Sequence, residues 1–454
     1  MADEPLPIRD PRAVVGTRPI SRGRMTLLFM VMLVTAAGNT AMQSVMPSIG
    51  TELGVADVWI SLAYTWSALL WVICAPRWAK RSDRRGRKAM MAVGLGGFIL
   101  SFGLCGAVVV AGLEGLIGAG LTLALFAAAR SLYGGFGSAA PPAVQAYVAS
   151  RTPREDRTSA LALLASSFGL GTVIGPAVAP LLIFPGSVGL AGPFFVFMAF
   201  GLAVLVALRW RLPDDDPAFA ARGQVAGAPF SASAGGQPAP REAEQGVAEP
   251  GEIPDLDWRD RRLRPWLVAG LVGGHAQAAL LGIAGFFVLD RLGLRADPGA
   301  GAGPIGTVLM AGAGATLLAQ WGLIPHLRLS PRTSVLWGMA LALVGTIAFA
   351  LAYDLHTIAL GFALASLGFG LYRPGFTAGA SLAVSRAEQG QVGGITASLN
   401  GAAYIFAPAL GVWLYNHHEA VGFAVIGGLC AGVLAWGWHA VADEPGGDSK
   451  PDAS

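Results

Sequence analysis

The feature that most constrains this chain is the recurrence of apolar runs about 20 residues long, the length at which one helix crosses a hydrocarbon core of about 30 Å. Charged residues make up only 13% of the sequence and hydrophobic residues 54%. A soluble domain, by comparison, carries roughly 25% charged residues. Most of the surface therefore does not face water, which excludes a cytosolic enzyme. The sequence predicts an all-α integral membrane protein that lies in a lipid bilayer.

The apolar runs and the polar breaks between them predict twelve transmembrane helices in two six-helix bundles, 25–210 and 265–441, with tails at 1–24 and 442–454. The first run is interpreted as a retained span, so the mature chain is expected to start near Met1. The predicted helices lie near 25–49, 58–79, 89–111, 117–149, 158–183, 190–209, 265–290, 302–325, 333–353, 357–384, 392–415 and 420–441.

The bundles are separated by a polar segment, residues 211–264. From Pro213 to Glu252 it has almost no large apolar side chains, so it cannot bury enough surface to fold and is predicted to be disordered. The end of this segment, 253–266, is predicted to form a short helix at the membrane interface.

Positive charge is distributed unevenly between the two sides of the predicted membrane. Five arginines precede the first span and seven basic residues lie between Arg77 and Lys88, whereas the opposite side has only Arg291 and Arg295. Since basic loops stay in the cytoplasm, both termini and the linker are predicted to be cytoplasmic. The preference for Arg over Lys, with abundant Ala and Gly, favours a bacterial inner membrane. The net charge of +3 does not indicate a nucleic-acid partner.

The two bundles also repeat a pattern of Gly and Pro. Phe136-Gly137, Pro141 and Pro176 recur as Phe369-Gly370, Pro374 and Pro408, displaced by 233, 233 and 232 residues. Breaks in spans four and five therefore have predicted counterparts in spans ten and eleven. Chance matching is the alternative. Two pseudo-symmetric halves would let one half rock against the other around a central site, as in secondary transporters.

The loop between spans two and three combines one carboxylate, one glycine and several cations. Asp83, Arg84, Gly86, Arg87 and Lys88 are predicted to form a gating hinge that makes and breaks ion pairs. A solvated basic loop is the alternative, but it would need neither the Asp nor the Gly.

This loop resembles the signature of the major facilitator superfamily, Gly-x-x-x-Asp-Arg-x-Gly-Arg-Arg/Lys, with Ala79 in place of the first Gly. Arg130-x-x-Tyr133-Gly134 resembles the family's second motif, in which a buried Arg supports proton coupling. The resemblance is greatest to drug:proton antiporters of the tetracycline and multidrug efflux type. It implies twelve helices, alternating access, a small-molecule substrate and a coupling proton.

Span five contains a third match. Gly171-x-x-x-Gly175-Pro176 resembles the family's antiporter motif, although Ala179-Pro180 replaces the usual closing Gly-Gly. From the residues alone, Gly171 and Gly175 lie on one helix face and allow a close neighbour, while Pro176 permits a kink. Close packing without a gating role is the alternative.

Two arginines lie within apolar runs, where a charge is costly unless it faces the protein interior. Arg130 in span four is predicted to point inward, as a brace or as a coupling residue. Arg373 in span ten is a candidate substrate contact, unless it pairs with carbonyls freed by Pro374. If both face a cavity, they favour anionic or zwitterionic substrates.

Polar residues in spans one and seven complete the candidate site. Asn39 and Gln43 are four residues apart and share a face, whereas His275 and Gln277 are about 200° apart and cannot both line one cavity. His275 is a candidate proton carrier, because an imidazole is the side chain type that can change its charge in the physiological pH range. A helix–helix hydrogen bond is its alternative role.

Other functional classes lack the residues that they need. Spans one to six contain no Asp or Glu, no metal or cofactor site is predicted, and a phosphate-binding loop for ATP is missing. These absences favour a secondary active carrier. The resemblance to drug:proton antiporters further implies proton-coupled export of a small amphipathic or anionic compound, and the chain is expected to act as a monomer. An importer remains the alternative, and an integral-membrane enzyme is a weaker one.

Overall fold

The computed structural model describes residues 20–152, 154–184, 188–213, 259–384 and 389–441. Within these ranges every regular element is a helix, so the predicted all-α class is confirmed. The predictions for residues 1–19, for 214–258 of the linker and for 442–454 lie outside the described residues. The α-helices are α1 Arg22–Glu52, α2 Asp57–Arg85, α3 Arg87–Leu113, α4 Ala119–Gly135, α5 Ala140–Arg151, α6 Arg154–Val178, α7 Gly192–Arg211, α8 Arg264–Arg291, α9 Pro298–Leu317, α10 Ile324–Leu327, α11 Pro331–Ala350, α12 Leu355–Leu382, α13 Gln389–His417 and α14 Glu419–Ala440.

Nine helical stretches in the described part of the chain are long and apolar enough to cross a membrane. The count of twelve spans stays a prediction. Seven of the nine lie within a single uninterrupted α-helix that matches one predicted span, and an eighth, Gly189–Arg211, is α7 preceded by a short 3₁₀ turn. The eighth predicted span is formed by α9, a π-helical segment at Leu318–Leu323 and α10.

The fourth predicted span, 117–149, is not one helix. It consists of α4 and α5, which are joined by a short 3₁₀ turn at Gly137–Ala139. Several glycines precede this turn, and two consecutive prolines, Pro141 and Pro142, follow it in the first turn of α5. Proline is tolerated there because the first helical N–H groups have no partner within the helix.

The sequence also predicted a break of this kind in span ten, and that prediction is wrong. Helix α12 continues through Phe369, Gly370 and Pro374 without interruption. A single proline inside a long helix removes one backbone hydrogen bond and bends the helix, which neighbouring helices can accommodate. The repeat in the sequence therefore does not produce the same local geometry in both halves.

The described end of the linker also differs from the prediction. Residues 259–263 form a turn in which the backbone oxygen of Asp260 accepts hydrogen bonds from Leu263 and Arg264. Helix α8 begins at Arg264, with Pro265 in its first turn. The predicted interfacial helix is thus absent from 259–263, and the rest of it lies outside the described residues.

Helix packing relates the first half, α1–α7, to the second half, α8–α14. Within the halves, α1 packs on α6 and α8 packs on α13, which are spans one with five and seven with eleven. Across the interface α2 contacts α13 and α6 contacts α9, which are spans two with eleven and five with eight. Spans two and eight occupy equivalent positions in the two halves, and so do spans five and eleven. The two contacts across the interface are therefore equivalent, as expected of halves related by a pseudo-twofold axis.

Close approach of α1 and α6 depends on a glycine of the predicted antiporter motif. A Cβ atom at Gly171 would lie 2.7 Å from the carbonyl oxygen of Leu33, which is too close for any side chain. Gly171 therefore packs closely against α1, and the gating role predicted for Gly171, Gly175 and Pro176 stays a prediction. Pro176 lies inside α6, which continues to Val178.

Candidate functional site

A cavity of about 150 Å³ lies between the two halves. Its first-half wall combines polar, aromatic and charged side chains from α1, α2 and α4: Asn39, Gln43, Tyr64, Trp71, Arg130 and Tyr133. Its second-half wall consists mainly of small or apolar residues of α8, α9 and α13, with Tyr404 of α13 as a polar aromatic exception: Ala278, Leu281, Gly282, Phe286, Leu309 and Pro408 are among the small or apolar ones. Among the described residues, no Asp, Glu or His borders this cavity.

Arg130 is the charged residue of the cavity wall, and only 3% of it is exposed. Its Nη2 donates a hydrogen bond to Oδ1 of Asn39, which fixes the guanidinium against α1. The guanidinium carbon lies 4.5 Å from the ring centroid of Tyr133 and 5.6 Å from that of Tyr64. Nε and Nη1 have no acceptor in the described part of the chain. The cation is held by an amide and two aromatic faces rather than by a carboxylate.

A second cavity of about 70 Å³ adjoins the first, and Gln43, Leu281 and Leu309 border both. Its described polar lining is uncharged and includes Thr40, Thr172, Gln277, Thr316 and Ser366. Together the cavities form a path that is positively charged near Arg130 and carries neutral hydroxyl and amide groups beyond Gln43.

Two of the predicted site residues lie elsewhere. His275 borders neither cavity, and its Nδ1 lies 2.7 Å from the carbonyl oxygen of Leu271 in its own helix. Arg373 is 4% exposed within α12 and also borders neither cavity. The structure therefore brings Asn39, Gln43 and Arg130 together but leaves His275 and Arg373 apart from them. Helix α8 is apolar around much of its circumference, so the sequence could not indicate which of its faces lines the cavity.

The predicted hinge lies at one end of the molecule, called here the Gly86 end. Helix α2 ends at Arg85, Gly86 adopts φ of 89°, and α3 begins at Arg87. Only glycine adopts this backbone conformation at little cost. Arg87 is 2% exposed and its Nη1 donates a hydrogen bond to the carbonyl oxygen of Ala146 in α5, while Lys88 is 9% exposed.

The hinge cations Arg87 and Lys88 are therefore packed against the first half and are not simply solvated. The side chains of Asp83 and Arg84 lie outside the described residues, so the predicted ion-pair latch at this turn stays a prediction.

The opposite end, called here the Arg295 end, holds an ion cluster that the sequence did not reveal. Arg295, in the loop between α8 and α9, donates 2.8 Å hydrogen bonds from Nη1 and Nη2 to the two carboxylate oxygens of Asp57 in the first half. It also donates to Asp290, at 2.7 Å from Nε and 3.0 Å from Nη2. The Tyr415 hydroxyl donates to Asp290 at 2.7 Å. Hydrogen bonding to Asp57 raises the pKa of Arg295 above its usual value.

This Arg295 cluster joins the two halves, because Asp57 begins α2 while Arg295, Asp290 and Tyr415 belong to the second half. The neighbouring pair between Arg291 and Glu419 lies entirely within the second half. One signal in the sequence could have indicated the cluster: Arg295 is one of only two cations on the sparsely charged side, and Asp57 lies next to a predicted span on that side.

The described residues contain no group of three or more His, Cys, Asp or Glu side chains arranged to hold a metal ion. The described cavity walls offer a cation, amides, hydroxyls and aromatic faces around a space shared by the two halves.

Comparison with known proteins identifies the family. The family model for the Major Facilitator Superfamily matches residues 28–408. Multidrug resistance protein 1 of Bacillus subtilis (strain 168) is 28% identical over 195 residues, 42% of this chain and 46% of that protein. The probable actinorhodin transporter of Streptomyces coelicolor is 30% identical over 178 residues, 39% of this chain and 28% of that protein. The matched region spans less than half of either relative.

The fold has a counterpart among solved structures. The crystal structure of the human organic anion transporter MFSD10 (TETRAN) superposes with a TM-score of 0.60 at 17% identity, covering 92% of this chain and 100% of that chain. At this identity the likeness shows the fold alone. The family match covers most of the sequence, and the chain therefore belongs to the Major Facilitator Superfamily of membrane transporters.

Proposed function

We propose that this carrier exports small amphipathic compounds from the cytoplasm by proton-coupled alternating access. The observation that supports the proposal is that the larger cavity lies between the halves: its first-half wall is polar and aromatic, and its second-half wall is mainly apolar apart from Tyr404. A ligand bound there contacts both halves, so its binding energy can depend on how the halves are arranged.

Alternating access requires contacts between the halves that form and break. The Arg295 cluster is a candidate for such a contact, since it joins the two halves at one end of the molecule in this conformation. The distribution of basic residues supports an orientation with the Gly86 end and both termini in the cytoplasm of a bacterium. The Arg295 end would then face outward, and the described conformation would be closed to the outside.

The substrate class is proposed from the cavity walls and from the relatives. Aromatic and apolar side chains suit the hydrophobic part of a small ligand, while Asn39, Gln43 and Arg130 suit its polar part. The relatives named as a multidrug resistance protein and an actinorhodin transporter are consistent with an exporter. Because they match less than half of their own lengths, transport of their compounds is only a proposal for this chain.

For proton coupling we propose the carboxylates of the Arg295 cluster, since the described cavity wall contains no titratable acid. Opening this end must separate Arg295 from Asp57, whose side chain is 7% exposed. A proton on Asp57 or Asp290 would lower the cost of that separation, because a neutral acid needs no ion-pair partner. Ser61, one helical turn from Asp57, borders the cavity and offers the proton a route toward the other end.

The experiment uses inside-out membrane vesicles and a panel of amphipathic compounds, with and without an imposed pH gradient that is acid inside. Proton-coupled export predicts that the gradient drives accumulation in vesicles containing the carrier, and that Asp83→Asn and Asp57→Asn both reduce it. Gradient-independent movement of every compound would remove proton coupling. Loss of preloaded compound on acidification would instead identify an importer.

A further inference from the structure

We propose that Arg130 binds the anionic group of the substrate directly, so that the carrier's substrates are aromatic acids, compounds with one or two rings and a single carboxylate. The inference rests on the proposed export function and names its substrate class. It follows from the charge, the hydrogen-bonding state and the surroundings of Arg130.

The first argument is charge balance. The rings of Tyr133 and Tyr64 lie against the Arg130 guanidinium, and both side chains are neutral in their ordinary state. No carboxylate in the described chain borders the cavity. A guanidinium enclosed in protein without a counter-ion costs several kcal/mol. A bound anion supplies the missing charge, so the cavity suits an anion better than a cation.

The second argument is the supply of donors. Asn39 accepts a hydrogen bond from Nη2 and thereby orients the guanidinium, while Nε and Nη1 have no acceptor among the described residues. The Tyr64 hydroxyl, on the facing helix, also has none. These donors are enclosed, so an anion that reaches them meets little competition from water, which strengthens each hydrogen bond. A carboxylate, with up to four acceptor sites, suits this set of donors.

The third argument concerns the rest of the ligand. Trp71 and Tyr133 border the cavity beside Arg130 with their ring centroids 5.2 Å apart. Phe286 contributes a further aromatic face from the second half. Aromatic side chains favour offset or edge-on contact with a planar ring. A planar aromatic body with its acid group directed toward the first half fits both walls.

The test measures binding of three probes of nearly equal shape to the purified full-length chain in lipid nanodiscs: naphthoate, naphthamide and naphthylmethylammonium. Quenching of tryptophan fluorescence reports the Kd. Hydrogen bonds to a charged group contribute roughly 1.5–3 kcal/mol, so wild type should bind naphthoate roughly 10- to 100-fold more tightly than naphthamide. The cationic probe should bind most weakly.

Arg130→Gln should abolish the preference for naphthoate over naphthamide, and Arg130→Lys should retain part of that preference. Arg209→Gln, which removes an exposed cation at the end of α7, is the matched control and should change nothing. If Arg130→Gln does not fold, as judged by size-exclusion chromatography, the wild-type ranking and Arg130→Lys decide the question.

Equal affinity of wild type for naphthoate and naphthamide, or an undiminished preference in Arg130→Gln, would overturn the assignment. This outcome differs from failure of the export function. A carrier that exports neutral and anionic compounds equally well in vesicles would refute the substrate class alone, whereas a carrier that moves none of the panel would refute the export function.

Discussion

The two halves of this carrier contribute different chemistry to one cavity. The first half supplies the amides of Asn39 and Gln43, the Arg130 cation and most of the aromatic rings, whereas the second half supplies mainly small and aliphatic groups around Phe286. The backbone packing of the halves is nonetheless equivalent, with spans two and eleven paired as spans five and eight are. We propose that the symmetry of the helices serves the movement between states and that the asymmetry of the side chains serves recognition. In our account the first half recognises the charged group and the second half closes over it.

The variant with the largest expected effect removes the ion pair between Arg295 and Asp57, which joins the two halves. Arg295→Gln leaves the buried carboxylate of Asp57 without its cation. Because the Arg295 side chain is 32% exposed, we expect the closed state to lose on the order of 1–3 kcal/mol, less than for a fully buried pair. The carrier should then favour the state that is open at the Arg295 end, and the initial rate of export in vesicles should fall about tenfold.

Arg291→Gln is the matched control for that variant, because its partner Glu419 lies in the same half and the pair is largely solvated. It should retain export within about twofold, as expected for a surface ion pair. Equal losses in the two variants would mean that charge at this end matters without any role for contact between the halves.

A second variant places a larger side chain of the second half in the interface between the halves. A Cβ atom at Gly285 would lie 2.5 Å from Cγ of Pro47 in the first half, so Gly285→Val should prevent full closure of the Arg295 end. Overpacking of this kind typically costs about 1–3 kcal/mol, and export should fall severalfold. Gly303→Val on α9 is the control, since a Cβ there meets no atom within 4 Å. Indistinguishable export rates for the two variants would show that closure does not depend on this contact.

A third prediction sharpens the difference between the cavity walls. Leu281→Ala shortens a second-half side chain that borders both cavities. Since it removes apolar contact but no charge, the affinities for naphthoate and naphthamide should weaken in parallel, by a few fold. The Kd values of both probes provide the measurement. A selective loss of naphthoate would show that the second half also discriminates charge.

The smallest expected effect concerns His275. Its ring contacts its own helix at Leu271 and borders neither cavity. His275→Gln should therefore change the rate of export and its dependence on pH by less than about twofold. The pH profile of vesicle transport between about pH 5.5 and 8, which spans the usual His pKa, checks this. If His275→Gln instead removed the change in export rate on the acidic side of the pH profile, His275 would again be the candidate proton carrier.

The sequence predicted the class of this protein well because membrane insertion depends on properties that are local in the chain. Apolar length defines a span, and the spacing of four residues between Asn39 and Gln43 correctly placed both on one cavity-facing side. The motif around Arg130 led to a cavity residue for the same reason, since a charge at membrane depth must face inward.

Features that depend on contacts between distant parts of the chain could not be predicted from the sequence. The ion pair between Asp57 and Arg295 joins residues 238 positions apart. Tyr64 matters only because α4 brings Arg130 against α2. The similar Gly and Pro pattern gave a break in the first half, where Pro141 and Pro142 are consecutive, and a continuous helix in the second half, where Pro374 is a single proline that neighbouring helices can accommodate.

The central claim is that the cavity opens at its two ends in turn, and the most direct measurement is of distances across each end. Spin labels at Glu52 and Ala296 span the Arg295 end, and labels at Arg85 and Arg328 span the Gly86 end, in a chain whose native cysteines are replaced by serine. With naphthoate at pH 5.5, double electron–electron resonance should show the first distance lengthening while the second shortens. Two distances that stay fixed, or that change in the same direction, would contradict the account.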